Sequence, residues 1–281
     1  MEDRGSRVRR RVASGVWGAV VWLTIGAASA QATERQFTYT YEPETMPQGA
    51  TEFEQWVTLG AGRGAATGKD NFNTWQLREE FEYGLSDRYT AALYLNTVAE
   101  SFRNPSTGDD TSNFEFDGVA LENRYMVANP ADSPVGVALY LEPRYSGTEA
   151  ELEEKLILGQ RHGEWKWAVN LIHATEWDDH LRELKGEAEL TAGLTRRLGA
   201  RWAMGLEFRN HNEFPDYETW ASTAFFLGPV LNFTEERWWI TLSVLPQIFG
   251  KNFHGESDGQ RHLVVDEQER INARIILGIT F

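Results

Sequence analysis

Apolar and polar residues alternate along most of this 281-residue chain, most plainly at its end. In Ile271-Asn272-Ala273-Arg274-Ile275-Ile276-Leu277-Gly278-Ile279-Thr280-Phe281 every odd position is apolar. The even positions are polar or small, Ile276 apart. A period of two belongs to an extended segment with one greasy face, because successive side chains of a strand point to opposite sides. Trp75, Leu77, Phe81 and Tyr83 likewise face away from Gln76, Arg78, Glu80 and Glu82, and Glu79, which breaks the first set, is expected at the outer rim. Val137, Leu139, Leu141 and Tyr145 oppose Tyr140, Glu142 and Arg144. Leu190, Ala192 and Leu194 oppose Glu187, Glu189 and Thr191, and Trp238, Ile240, Leu242 and Val244 oppose Trp239, Thr241 and Ser243.

The pattern predicts about twelve strands, at 51–60, 72–84, 88–101, 113–127, 135–146, 149–159, 165–176, 184–196, 200–210, 218–233, 237–249 and 267–281. Short connections such as Gly84-Leu85-Ser86-Asp87 and Arg197-Leu198-Gly199 carry turn-forming residues. They alternate with longer polar ones at 61–71, 102–112, 177–183, 211–217 and 250–266. The expected fold is therefore all-β, a single up-and-down antiparallel barrel over residues 51–281. A soluble barrel or sandwich would alternate in the same way. The aromatic residues favour a membrane instead. Tyr83, Tyr89, Trp165, Trp167, Trp202 and Trp238 lie beside the short turns, and Trp75, Tyr145, Trp177, Trp220 and Phe249 toward the long ones. Two such belts belong at the two faces of a bilayer.

The beginning of the chain agrees. Arg4, Arg7, Arg9, Arg10 and Arg11 precede a mostly apolar stretch, Val12 to Ala27, and an A-x-A pattern at Ala28-Ser29-Ala30. This order is that of an export signal over residues 1–30, with Gln31 as the first mature residue. An uncleaved anchor is the other reading, but Ser14, Gly15, Gly18 and Gly26 dilute the stretch. Residues 31–50 fit the barrel scheme less cleanly: Phe37, Tyr39 and Tyr41 alternate. An extra short strand, a luminal plug and a loose periplasmic leader are all open to them, and the leader is the expectation carried forward.

A chain that stops on the aromatic end of such a strand resembles the outer-membrane β-barrel proteins of Gram-negative bacteria. That resemblance implies insertion into the outer membrane, among lipid and lipopolysaccharide, with Ile275, Leu277, Ile279 and Phe281 read by the barrel-insertion machinery. A narrower likeness lies in Glu44-Thr45-Met46-Pro47-Gln48-Gly49, Glu52-Phe53-Glu54-Gln55-Trp56 and Arg78-Glu79-Glu80-Phe81-Glu82-Tyr83-Gly84-Leu85-Ser86-Asp87-Arg88. These are similar to stretches of uncharacterised barrel families loosely described as transporters of the phenol-degradation, MetA-pathway type. Passive passage of small solutes is what the likeness implies.

Charge and composition narrow the chemistry. The net charge is −15, and loss of five arginines and two acids with the export signal takes it to −18. So acidic a surface is unsuited to nucleic acid. Cysteine is absent, which excludes disulfides, thiolate metal sites and a cysteine nucleophile. The polar face carries both signs, and Arg78, Glu80, Glu82, Glu122, Arg124, Glu142, Arg144, Glu187, Arg209 and Arg274 are the expected pore-lining set. Glu54, Glu153, Lys155, Lys166, Glu189, Glu207 and Arg270 fall on the same face. Opposed acids and bases can either fill and stiffen the barrel or form a constriction with a transverse field.

Other constellations are weaker. His173, Glu176, Asp178, Asp179 and His180 match no standard metal spacing and read as a solvated acidic end. Asp109, Asp110, Glu213, Asp216, Glu218, Asp258, Asp266 and Glu267 make other outer connections acidic, where Mg²⁺ or Ca²⁺ can bridge to lipopolysaccharide. Gly60-Ala61-Gly62-Arg63-Gly64 to Gly68-Lys69 fits no phosphate loop, since Asp70 stands where Ser or Thr is needed. His211 and Ser222 form the one nucleophile–base pair that can be constructed, with no supporting motif. No enzymatic activity, cofactor or dedicated metal site is expected from these residues.

Overall fold

A computed structural model describes residues 34–64, 70–178, 180–253, 262–265 and 268–281. The expected export signal, residues 1–30, lies outside the described residues, as do Gln31, Lys69, Asp179, Asp258, Asp266 and Glu267. Twelve strands run through the described residues: β1 (Thr51–Arg63), β2 (Asp70–Ser86), β3 (Tyr89–Arg103), β4 (Asp110–Ala128), β5 (Gly136–Tyr145) and β6 (Ala150–His162). They continue as β7 (Trp165–Asp178), β8 (Glu183–Leu198), β9 (Trp202–Phe214), β10 (Ser222–Thr234), β11 (Trp238–Asn252) and β12 (Ile271–Thr280). Each pairs with its neighbours in sequence, and β12 closes on β1 from Glu52↔Thr280 to Ala61↔Ile271. The closed sheet leaves no edge, so every strand satisfies its backbone within the wall, as lipid requires.

The strands begin and end close to expectation, with the largest shifts at the long connections. β9 runs on to Phe214, and β10 starts only at Ser222. Between them the Asp216 carboxylate accepts the Thr219 hydroxyl and the amides of Glu218 and Thr219. Those hydrogen bonds, the Thr219 hydroxyl first, hold the Asp216 carboxyl below its ordinary range. β1 likewise runs on through Arg63, so the start of the glycine-rich stretch is strand rather than loop.

Outside, the alternation produces an apolar girdle. Leu93, Leu121, Leu139, Leu171 and Leu206 are exposed on it, flanked by Tyr83, Trp165, Trp202 and Trp238 near the short turns and by Trp75, Tyr145, Trp220 and Phe249 toward the other end. This is the exterior of a barrel that crosses the outer membrane by its strands. Glu79 departs from expectation. It pairs with Gln55 and Leu95, partway down the wall rather than at the outer rim.

The interior departs further. Of residues 31–50, expected as a loose periplasmic leader, 34–46 lie inside the barrel, and Pro47, Gln48 and Gly49 are exposed at its short-turn end. Phe37, Tyr39 and Tyr41 are buried, each in its own apolar cluster with wall residues. A loose segment would leave three aromatics in water, whereas the lumen offers each an apolar socket. Phe37 packs with Ala168 and Val230, and Tyr39 with Ala224, Phe226 and Leu245. Tyr41 joins Trp56, Ala138, Tyr140, Ile157, Trp239 and Ile276. Ile276, the exception to the C-terminal alternation, thus serves the inside.

Candidate functional site

The lumen is polar, and its charged side chains fall into two storeys separated by residues 34–50. That segment has no helix or strand of its own, so its amides and carbonyls need partners from the wall. Glu207, buried on β9, accepts the backbone N–H groups of Thr38, Tyr39 and Thr40 and the Thr38 hydroxyl, at 2.7–3.1 Å. Asn170 on β7 accepts from Tyr41 N–H at 2.6 Å and donates to the Tyr41 carbonyl at 2.9 Å. Asn232 and Thr241 donate to the Arg35 carbonyl. Lys166 binds Glu42 and Glu44 at 3.3 and 3.5 Å. At the short-turn end, Met46 N–H reaches Thr90, Gln48 N–H reaches Asp87, and Gly49 N–H reaches the Gly84 carbonyl.

Small residues make room for this seat. A Cβ at Gly193 would stand 2.3 Å from the Phe37 ring, and one at Gly136 or Gly159 within 2.8 Å of Pro43. At these positions glycine is required by close approach, whatever the strand conformation.

Above the segment, toward the long connections, a cavity of about 360 Å³ remains. Six of the ten expected pore-lining residues border it: Arg78, Glu142, Arg144, Glu187, Arg209 and Arg274. Most of its bases are neutralised. Arg78 lies 3.5 Å from Glu142, Arg144 lies 3.0 Å from Asp117 and 2.8 Å from Glu151, and Arg63 lies 2.8 Å from Glu269. Arg209 is held by Glu189, and Lys155 by Glu153 at 2.8 Å. Arg274 differs: it makes no ion pair with any described carboxylate. Its Nε donates to Thr58 Oγ1 at 2.8 Å, its Nη1 to the Thr38 carbonyl at 3.0 Å, and its guanidinium lies 3.9 Å from the centre of the Tyr39 ring.

The other four expected pore-lining residues do not reach the cavity. Glu80, Glu82, Glu122 and Arg124 are buried in the lower storey. Arg124 Nη2 donates to Glu82 at 2.8 Å, and its Nε lies 3.1 Å from Glu122. Their facing was as expected from alternation, but height along the strand and cover by residues 34–50 determine which side chains meet the open space. Arg270 stands exposed just before β12 rather than in the lumen.

The weaker constellations do not assemble. His173 points outward, 2.8 Å from the Tyr217 hydroxyl and 3.6 Å from Glu154, while Glu176 borders the cavity. Asp178 pairs with Lys185. His211 Nδ1 binds Glu189 at 2.6 Å and its Nε2 lies 3.4 Å from Glu213, while Ser222 Oγ has no hydrogen-bond partner among the described residues. The constructed nucleophile–base pair is therefore not formed.

Sequence reasoning missed Glu207, Asn170 and Asn232 as the segment's anchors. Their signal was present but unread. The supposedly polar luminal face repeatedly carries apolar or very small residues, including Tyr140, Ile157, Gly193, Trp239 and Ile276. A lumen filled with water has no use for them.

A family model matches residues 29–157 and 159–281, nearly the whole chain. The chain belongs to the family of unknown function DUF6662. No curated protein matches it in sequence. Among solved structures, this DUF6662 member is similar to the COG4313 outer membrane channel from Pseudomonas putida F1, at 12% identity and a TM-score of 0.58, covering 87% of this chain and 100% of that one. It is also similar to the NanC porin, at 13% identity and a TM-score of 0.49 over 81% of this chain and 100% of that one. The toluene transporter TbuX of Ralstonia pickettii aligns at 8% identity and a TM-score of 0.42, over 85% of this chain and 92% of that one. At these identities the likeness to the Pseudomonas protein shows the fold.

Proposed function

We propose that the barrel is an outer-membrane channel for small polar solutes that carry an acceptor group, closed at its periplasmic end by residues 34–50 in the conformation described. The observation that carries this reading is Arg274. A guanidinium without a carboxylate partner stands at the floor of a polar cavity, where an anion arriving from the loop side can reach it. Its hydrogen bond to the Thr38 carbonyl ties that same group to the closing segment. An anion on Arg274 competes with the carbonyl, so solute binding and release of the segment become linked. The Pseudomonas structure is described as an outer membrane channel, and the shared fold supports the class of function proposed for this chain. The reading assigns the chain no reaction.

The test exploits the absence of cysteine. Thr38 Oγ1 and Ser243 Oγ lie 2.5 Å apart, so Thr38→Cys with Ser243→Cys can form a single disulfide that fixes the segment to β11. In planar bilayers the wild type should show discrete steps. The oxidised double variant should be silent, and reductant should restore the steps. Arg274→Gln should lower the ratio of anion to cation permeability. Silence from folded, inserted wild type and from the reduced variant would instead indicate a closed structural barrel. Steps that persist under oxidation would place the path elsewhere.

A further inference from the structure

Beneath the segment, the wall carries an arrangement that takes no part in the cavity above it. β1 and β2 set like charges directly opposite each other on two successive luminal rungs, Glu52 with Glu82 and Glu54 with Glu80. β4 adds Glu122, in register with Ala92, which is itself in register with Glu82. All five carboxylates are buried. Like charges opposite one another destabilise a sheet, and burying them raises that cost.

The compensation present in the protein is incomplete. Among the described residues two cations pair with the group: Arg124, 2.8 Å from Glu82 and 3.1 Å from Glu122, and Arg35, 3.4 Å from Glu54. Neutral donors serve part of the rest. Trp239 and Thr280 donate to Glu52, Trp56 donates to Glu54, and the Tyr94 hydroxyl donates to Glu122. Glu80 is 0% exposed, yet among the described residues neither of its carboxylate oxygens has a hydrogen-bond partner, and Glu54 Oε1 also lacks one. With all five ionised, two guanidiniums leave three negative charges in excess.

The geometry points to a buried cation site: we propose that Glu80, Glu82 and Glu122 hold one divalent cation of the Ca²⁺ kind, with Glu52 and Glu54 as its acidic surroundings. One carboxylate oxygen from each of the three lies within 4.8 Å of the others, and the same holds for Glu52, Glu54 and Glu82. That separation is about twice a Ca–O distance of roughly 2.4 Å, so a single ion can touch all three. A donor set made only of carboxylate oxygens selects hard cations over zinc or copper. The ion gives the orphan oxygens of Glu80 a partner and reduces the local excess to one negative charge. It joins β2 to β4 across β3, and Glu80 lies opposite Glu54, the partner of Arg35 in the closing segment.

The test is equilibrium binding of radioactive Ca²⁺ to the whole protein, extracted from outer membranes, freed of lipopolysaccharide in detergent and stripped with chelator. Thermal unfolding is followed in parallel with and without the ion. The expected result is one Ca²⁺ per chain and a higher Tm in Ca²⁺. Glu80→Gln and Glu122→Gln should each lose the bound ion and the Tm response while keeping the strand signal in circular dichroism. Asp109→Asn with Asp110→Asn, at the exposed start of β4, should retain both. The proposal is overturned if wild type binds no more Ca²⁺ than Glu80→Gln, which would leave protons or water as the compensation. It is equally overturned if binding disappears with the Asp109 and Asp110 substitutions, which would place the ion on the surface.

Discussion

Glu207 concentrates on one side chain much of what keeps the lumen closed. Its carboxylate accepts three successive backbone N–H groups, and none of these has another way to be satisfied once the segment is inside. Glu207→Ala leaves three donors without an acceptor, each worth about 1–3 kcal/mol when buried. The expected outcome is release of residues 34–50, read as new protease cleavage within that stretch in the folded protein. Phe281 is the opposite case. Its side chain is 64% exposed, and its contribution to the fold is a backbone hydrogen bond from its N–H to the Thr51 carbonyl. Phe281→Ala should therefore leave unfolding midpoints unchanged. If the terminal strand is the insertion signal, the same change lowers the amount of protein assembled in outer membranes of living cells.

At the level of strands, alternation was legible because it reports a boundary between lipid and interior that every strand crosses at the same pitch. Leu171 on β7, paired with Leu156 and Leu190, belongs to the lipid face and is 52% exposed. Leu171→Arg should cost about 2–4 kcal/mol in denaturant unfolding from lipid vesicles, as expected for a charge near the bilayer midplane. The same pattern did not give depth. Glu142 and Glu122 share the luminal face, yet one borders the cavity and the other is buried below it. Period-two reasoning assigns a side and no height. Height depends on strand stagger and on what else occupies the interior.

For the molecule as a whole, wall and filling are separable. The twelve strand pairings involve wall against wall alone, while residues 34–50 bind through side chains that project inward. Loosening the segment with Glu207→Ala and Asn170→Ala together should preserve the far-ultraviolet circular dichroism of the barrel. The near-ultraviolet signal of Tyr39, Tyr41, Trp56 and Trp239 should change, because those rings lose fixed neighbours.

The sequence by itself indicated about twelve strands, the two faces of those whose alternation is clean, and a closed barrel. Each follows from local alternation and from the need to satisfy every backbone group in lipid. Only the tertiary structure decided that residues 34–50 turn inward, that Arg124 is enclosed while Arg274 stays open to the cavity, and that five acids converge beneath them. These outcomes depend on residues far apart in the chain, such as Phe37 meeting Gly193 and Glu54 meeting Glu80. A lumen brings side chains from all strands to one axis, and no local pattern records which of them will meet there.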